Sequence, residues 1–187
     1  MFEKRAIPQA NFTNADIIIA LKIIEKEESI GRKLLSKRMF LNEASISSSR
    51  LGHNVTRKGK DFIDRSVQFE APSEINSKEL TLNSKNFGTL IKGASSKIKD
   101  GMDQRDNAVF GGARSAITLI FRDGHFSLPE IKPEIKIPTI KLNLSKALET
   151  ELHEKFSPKN NDVVIIASAE DDERAFRGIV HVIDSFI

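Results

Sequence analysis

The chain has 187 residues, of which 39% are apolar and 29% are charged, values typical of a soluble globular protein. It contains no cysteine and only four histidines, which excludes disulfides and thiolate zinc sites, so we expect neither a metal nor a cofactor. No run of about 18 apolar residues occurs, and the start lacks the apolar core of a secretory signal. We therefore expect a cytoplasmic protein that does not associate with membranes.

Charge is distributed unevenly, although the net value is only +3. Residues 30–60 contain eight basic residues and one acidic residue, a local net charge of +7. A basic field of this kind suits a polyanion, because phosphates neutralised by Lys and Arg release counterions. A solvated basic face explains the same charge equally well. Tyr and Trp are absent, which disfavours a binder of single strands that stacks bases on aromatic rings.

The first third of the chain has the pattern of a helix-turn-helix. Thr13 or Asn14 can cap a first helix, in which Ile17, Ile18, Leu21 and Ile24 fall on one face. A short second helix is predicted over residues 32–39, and Asn42 can cap a third. Two short helices separated by a tight turn are typical of DNA-binding domains. A turn at Gly52 then predicts a wing, followed by the start of a basic helix at residues 57–63.

The motifs of this region resemble a known family. In the first third they are GRKLLS at 31–36, LNEASI at 41–46 and RLGHNVTRKGK at 50–60. Downstream they are DQRDNA at 103–108, GARSAIT at 112–118 and DVVII at 162–166. Together they resemble an archaeal two-domain family with an N-terminal winged helix-turn-helix and a C-terminal α+β domain of unknown function. The resemblance implies a transcription regulator, and it implies no ligand or reaction.

The recognition helix is the point at which the sequence departs from this family. A third helix of about three turns, some 11 residues, and a strand of about 5 should precede the wing. Only residues 44–49 lie between Glu43 and the wing-like Arg50. Three explanations remain: loss of the helix, refolding of Ser47 to Ser49 as a loop, or omission of residues from the sequence. The close match of both flanks favours omission; a true loss would weaken readout in the major groove.

The predicted organisation is α+β. Residues 1–65 form the winged helix-turn-helix domain, lacking most of its recognition helix; residues 66–86 form a linker with one strand; residues 87–187 form a small α+β domain. In this domain we expect a mostly antiparallel sheet and two or three helices. The predicted elements are a strand at 88–94, a helix at 102–110, a hairpin turning at Asp123-Gly124, a helix at 142–156, a strand at 163–167 and a helix at 172–186.

The predicted function is a DNA-binding transcription regulator with a C-terminal domain that senses a ligand or holds a homodimer. Its partner is double-stranded DNA. The residues expected to contact phosphates are Arg32, Lys33, Lys37 and Arg38. Those expected nearest the bases are Ser45, Ser47 and Ser48, and those of the wing and its flank are Arg50, His53, Asn54, Arg57 and Lys58.

The alternatives place the activity elsewhere. Arg105 could bind a small anionic ligand oriented by Asp106, in a small-molecule binding protein or an enzyme, although helix pairing explains these two residues as well. Four acids at 170–173 could bind a cation, but they also suit a helix N-terminus. No nucleophile lies beside His125 or His153 in a recognisable motif, so we expect no enzyme. A protein-interaction module is the third reading.

Overall fold

A computed structural model describes residues 12–27, 30–41, 55–77, 79–80, 85–129 and 142–187. The predicted start of the third helix, and with it Ser45, Ser47, Ser48, Arg50, His53 and Asn54, lies outside these residues. The described helices are α1 (Asn14–Lys26), α2 (Arg32–Arg38), α3 (Arg57–Arg65), α4 (Met102–Phe110), α5 (Lys146–Phe156) and α6 (Asp172–Asp184). None of them is long and apolar enough to cross a membrane.

The described strands form one five-stranded antiparallel sheet. They are β1 (Ser73–Glu74), β2 (Lys85–Ile91), β3 (Ser115–Arg122), β4 (His125–Ser127) and β5 (Val163–Ala169). Their order is β1-β2-β5-β3-β4, so β5, which is buried along its whole length and apolar from Val163 to Ala167, lies at the centre. Ile91 and Ile120 are both paired with Val163 across it. A continuous apolar run is what a central strand covered on both faces requires, and this arrangement confirms the predicted α+β class with an antiparallel sheet.

Helices cover both faces of the sheet. On one face, α5 buries Leu148, Leu152 and Phe156 against alternate residues of β5, such as Val164. On the other face, α1, α2, α4 and α6 form a larger apolar cluster, in which Ile18 and Phe176 pack with Ile165. This single cluster contains residues from both ends of the chain, from Ala15 to Ile183. The N-terminal helices therefore share one apolar cluster with the last helix, and α1 contacts α6 directly.

The first helix begins where its capping residues predict. The Thr13 hydroxyl accepts the Asp16 backbone N–H, and the Asp16 carboxylate accepts the Thr13 N–H at 3.0 Å, a complete capping box. Its buried face differs from the predicted one, because Ile17 is 46% exposed while Ile19 and Ile23 are buried. The Asp16 side chain is also buried, so the buried face of α1 is rotated relative to the predicted one.

Most elements of the second half lie where the sequence predicts them. The helix at 102–110 has the predicted bounds, and the hairpin turns at Asp123 and Gly124 with φ of 50° and 80°, the left-handed pair that a type I′ turn needs. Helix α5 begins at Lys146 rather than at residue 142, because Ser145 caps it by accepting the Leu148 N–H. The predicted linker, residues 66–86, contains strand β1 at the edge of the sheet.

Candidate nucleic-acid interface

The second helix presents four predicted phosphate ligands on its solvent side. Its opposite side is fixed by Leu35 and, just beyond the helix end, by Met39, both of which are buried in the large cluster. The basic side chains of the helix are Arg32, Lys33, Lys37 and Arg38, and all four residues are exposed. Lys33 and Lys37 are four positions apart, so their side chains lie on the same side of the helix.

Three of these cations have no acidic partner in the part of the chain that the structure describes. Within the described residues, no carboxylate lies within 4 Å of the side-chain nitrogens of Arg32, Lys33 or Lys37. Arg38 is the exception, because its Nη2 donates to Glu27 Oε1 at 3.0 Å. An exposed pair of this kind contributes little stability, so a phosphate can replace the carboxylate at small cost. The surface thus has positive charge that no ion pair among the described residues neutralises at Arg32, Lys33 or Lys37.

The third described helix adds a second basic segment. Thr56 caps it by accepting the Gly59 N–H at 3.2 Å, and Ile63 is buried beneath it. Arg57 and Lys58 are exposed in its first turn. A Cβ on Gly59 would lie 3.0 Å from Val55 and 3.5 Å from Leu21, so the helix approaches α1 closely at that point. Helices α2 and α3 therefore share α1 as their support.

A groove of about 400 Å³ borders α2 on the side of the sheet edge. It is lined by Leu34, Lys37, Arg38, Phe40, Pro72, Ser73, Glu74 and Phe87. The Phe40 ring packs edge-on against Phe87 at 5.9 Å and lies 5.2 Å from Phe176, which fixes the end of α2 to the sheet and to α6. Sequence reasoning missed this groove, because its walls are more than thirty residues apart and carry no shared motif.

The predicted anion ligand, Arg105, lies apart from any enclosed site. Its side chain is 49% exposed and that of Asp106 is 69% exposed, with Nη1 and Oδ1 3.5 Å apart. Asp106 lines a groove between α4 and the end of α6, whereas Arg105 does not line it. The two residues are neighbours on α4 and do not face a common cavity.

The acids at 170–173 are engaged with cations and with the helix end. Asp171 caps α6 by accepting the Arg174 N–H at 2.8 Å, and Asp172 lies 3.2 Å from Lys85. The Arg114 guanidinium donates to Glu170 at 2.6 Å and lowers the pKa of that carboxyl. Across the described residues, no three His, Asp or Glu side chains lie close enough together to hold a metal ion.

The two histidines singled out from the sequence have structural contacts. The His153 ring packs edge-on against Phe121 at 5.4 Å and Phe126 at 5.9 Å. The His125 ring nitrogen lies 3.2 Å from the carbonyl oxygen of Asp123 in the hairpin turn. Both rings therefore support local packing around β3 and β4.

Comparison with known proteins adds a family and a fold. The domain of unknown function DUF4443 matches residues 82–185, more than half of the chain. The chain belongs to the DUF4443 family. The matched region contains β2 to β5 and α4 to α6, so the family is defined by the sheet and the helices that cover it. No curated protein matches the chain.

A solved structure extends the likeness beyond the DUF4443 region. Hypothetical protein PH0730 from Pyrococcus horikoshii OT3 is 24% identical, with a TM-score of 0.66 over 94% of this chain and 92% of that one. At this identity the likeness shows a shared fold and no shared activity. Because the match covers nearly the whole chain, it includes the N-terminal helices as well as the DUF4443 domain.

Proposed function

We propose that the chain is a DNA-binding transcription regulator that contacts double-stranded DNA through α2 and the start of α3. The observation that carries this proposal is the exposure of Arg32, Lys33 and Lys37 with no carboxylate of the described residues within 4 Å. Unpaired cations on a rigid helix bind phosphate oxygens and release counterions from the duplex. Arg38, Arg57 and Lys58 extend the same phosphate contacts.

The finer part of the proposal concerns base readout and the wing. It assigns base contacts to Ser45, Ser47 and Ser48 and wing contacts to Arg50, His53 and Asn54, six residues outside the described part of the chain. The DUF4443 domain holds the homodimer, which would place two basic surfaces on one duplex. The homodimer is supported by the solvent side of α4, on which the apolar side chains of Met102, Val109 and Phe110 are all exposed.

The experiment is binding of the full chain to a fluorescent random-sequence duplex between about 50 and 200 mM salt. Lys33→Ala/Lys37→Ala removes two unpaired cations, so we expect weaker binding at every sequence and a salt slope smaller by about two. Lys37→Ala/Arg38→Ala should reduce the slope by about one to two, because Arg38 is partly neutralised by Glu27.

The matched control is Lys146→Ala/Lys159→Ala, which removes the same charge from two exposed lysines, one in α5 and one in the loop after it, that form no ion pair with any described residue. We expect this variant to bind as the natural chain does. Equal losses of DNA affinity in the Lys33→Ala/Lys37→Ala variant and in the Lys146→Ala/Lys159→Ala control would show a general charge effect. That result would refute the assignment of α2. Absence of binding by the natural chain at low salt would refute the function itself.

A protein-interaction module is the second candidate, favoured by the groove beside α2. Its apolar walls include Leu34, Phe40 and Phe87, and its rim holds Lys37 and Arg38. A groove with apolar walls and a basic rim suits an acidic amphipathic segment of a partner. If the natural chain fails to bind DNA, a screen with acidic amphipathic peptides is the experiment that tests this function.

A further inference from the structure

A groove of about 420 Å³ lies between α4 and the last turn of α6, away from the basic surface of α2. This volume is within the range of sites for small molecules. The side chains used below are Lys97, Asp103, Gln104, Asp106, Asn107 and Phe186, all of which line it. They come from three elements that the fold brings together: the 3-10 turn Ser95–Lys97, helix α4 and the end of α6.

Gln104 is the unexplained residue of this groove. It is only 6% exposed, yet its Oε1 has no hydrogen-bond partner. Buried polar atoms are nearly always bonded, because an unpaired one loses its water without compensation. The Gln104 Oε1 can therefore accept a hydrogen bond from a donor that binds in the groove. A buried, unpartnered amide oxygen in the wall of a groove indicates a missing polar ligand.

The remaining lining groups determine the charge of that ligand. Asp103 and Asp106 supply two carboxylates, against the single ammonium of Lys97. The Asn107 Nδ2 already donates one of its two N–H groups to the Asp103 carbonyl at 2.8 Å, which leaves the other N–H and the acceptor Oδ1 for a ligand. Arg105 neutralises Asp106 only weakly, because their exposed pair spans 3.5 Å. Acceptors and negative charge therefore predominate among these side chains.

We propose that this groove binds a small organic cation with primary ammonium groups, a short aliphatic diamine being the simplest example. The ammonium donates to the Asp103 and Asp106 carboxylates and to Gln104, as three donors on one nitrogen allow. Phe186 also lines the groove, and an aromatic ring there can contact the cation or its methylene chain. An anion, by contrast, would meet two carboxylates. This inference is independent of DNA binding, since the groove and the basic surface share no residue.

The experiment is isothermal titration calorimetry of the full chain with 1,4-diaminobutane, and with succinate as an anion of the same carbon count. We expect saturable binding of the diamine at one site per chain and none of succinate. Asp103→Asn/Asp106→Asn should weaken diamine binding at least about tenfold, because two charge-assisted hydrogen bonds are lost. The matched control, Asp123→Asn/Glu154→Gln, changes two exposed acids elsewhere that form no ion pair with any described residue, and it should leave affinity unchanged.

Lys97→Gln gives an opposite and independent test. It removes the one cation of the lining set, so diamine binding should tighten by about threefold. Gln104→Leu, similar in volume, should weaken it without unfolding the chain. The proposal is overturned by absence of saturable binding, by tighter binding of succinate than of the diamine, or by equal losses in the Asp103/Asp106 and control variants.

Discussion

Arg177 in α6 donates from Nη1 to Asp16 Oδ1 in α1 at 2.5 Å, and its Nη2 lies 3.4 Å from Oδ2. The same Asp16 carboxylate also accepts the Thr13 N–H, so one buried side chain caps α1 and binds it to the last helix. Next to it, the Ala15 N–H donates to Asp184 at 3.3 Å. The helix that supports α2 and α3 is thus held to the DUF4443 domain by polar contacts as well as by apolar packing.

Asp16→Asn is expected to destabilise the chain by about 2–4 kcal/mol, because it leaves the Arg177 guanidinium partly buried without its carboxylate. Asp16 is only 1% exposed, so water cannot take the place of the carboxylate beside the Arg177 guanidinium. Urea unfolding measures the change. Asp61→Asn removes an exposed acid in α3 and should change stability by less than about 0.5 kcal/mol. Similar midpoints for the two variants would show that the pair contributes nothing.

Gly178→Ala is expected to destabilise the chain by about 1–3 kcal/mol, although alanine is the better helix former. A Cβ at Gly178 would lie 2.6 Å from the Ala113 Cβ and 3.1 Å from the Ala108 carbonyl oxygen. The glycine is therefore required by the close approach of α4 and α6. Thermal unfolding tests this, and adding Ala113→Gly should restore part of the loss. A more stable Gly178→Ala variant would contradict the close packing.

The sequence predicted those elements whose signals are local. The capping pattern at Thr13 and the Asp123-Gly124 turn each depend on residues within a few positions, and both have the expected geometry. The face of α1 was predicted less well. Ile17 is exposed because the buried Asp16 and Ile19 rotate the helix toward Arg177 and the sheet, and periodicity alone contains no information about a partner 161 residues away.

The candidate sites show the same difference between local sequence signals and contacts between distant residues. The basic residues of α2 could be found from charge and helix pattern, and their exposure follows from burial of Leu35 on the opposite side. The sequence pattern alone could not show whether Arg105 lines an anion site, because the groove next to it forms only where α4 meets the end of α6. Gln104 carried no sequence signal at all. Its importance comes from being buried without a partner.

Lys22 should make stability depend on pH in the alkaline range. Its Nζ lies 5.0 Å from the Phe69 ring, and burial lowers its pKa despite the opposing charge of Glu70. Between this lowered pKa and the ordinary value of about 10.4, the unfolded chain binds more protons than the folded chain. The free energy of unfolding contributed by Lys22 therefore rises with pH across that interval.

The measurement is urea unfolding of the natural chain and of Lys22→Met from about pH 8 to about pH 10.5. The natural chain should gain stability relative to the variant as the pH rises, because folding no longer has to bury a charged ammonium. Two curves that stay parallel over this range would show that the desolvation of Lys22 has no effect on folding.

The solvent side of α4 should hold the proposed homodimer. Phe110 is 83% exposed, and its ring contacts only the edge of His181 at 5.4 Å among the described aromatic groups. Met102 and Val109 are two turns apart and lie on the same side of the helix.

Light scattering of the natural chain should therefore give twice the 20.9 kDa mass of one chain. Val109→Ser/Phe110→Ser should weaken dimerisation at least about tenfold, since each subunit loses two apolar anchors from the centre of the interface. Phe62→Ser, which removes a Phe of α3 that is 42% exposed, serves as the control and should leave the dimer intact. A dimer that survives loss of Val109 and Phe110 would place the interface elsewhere, and a monomeric natural chain would show that α4 faces solvent in the working protein.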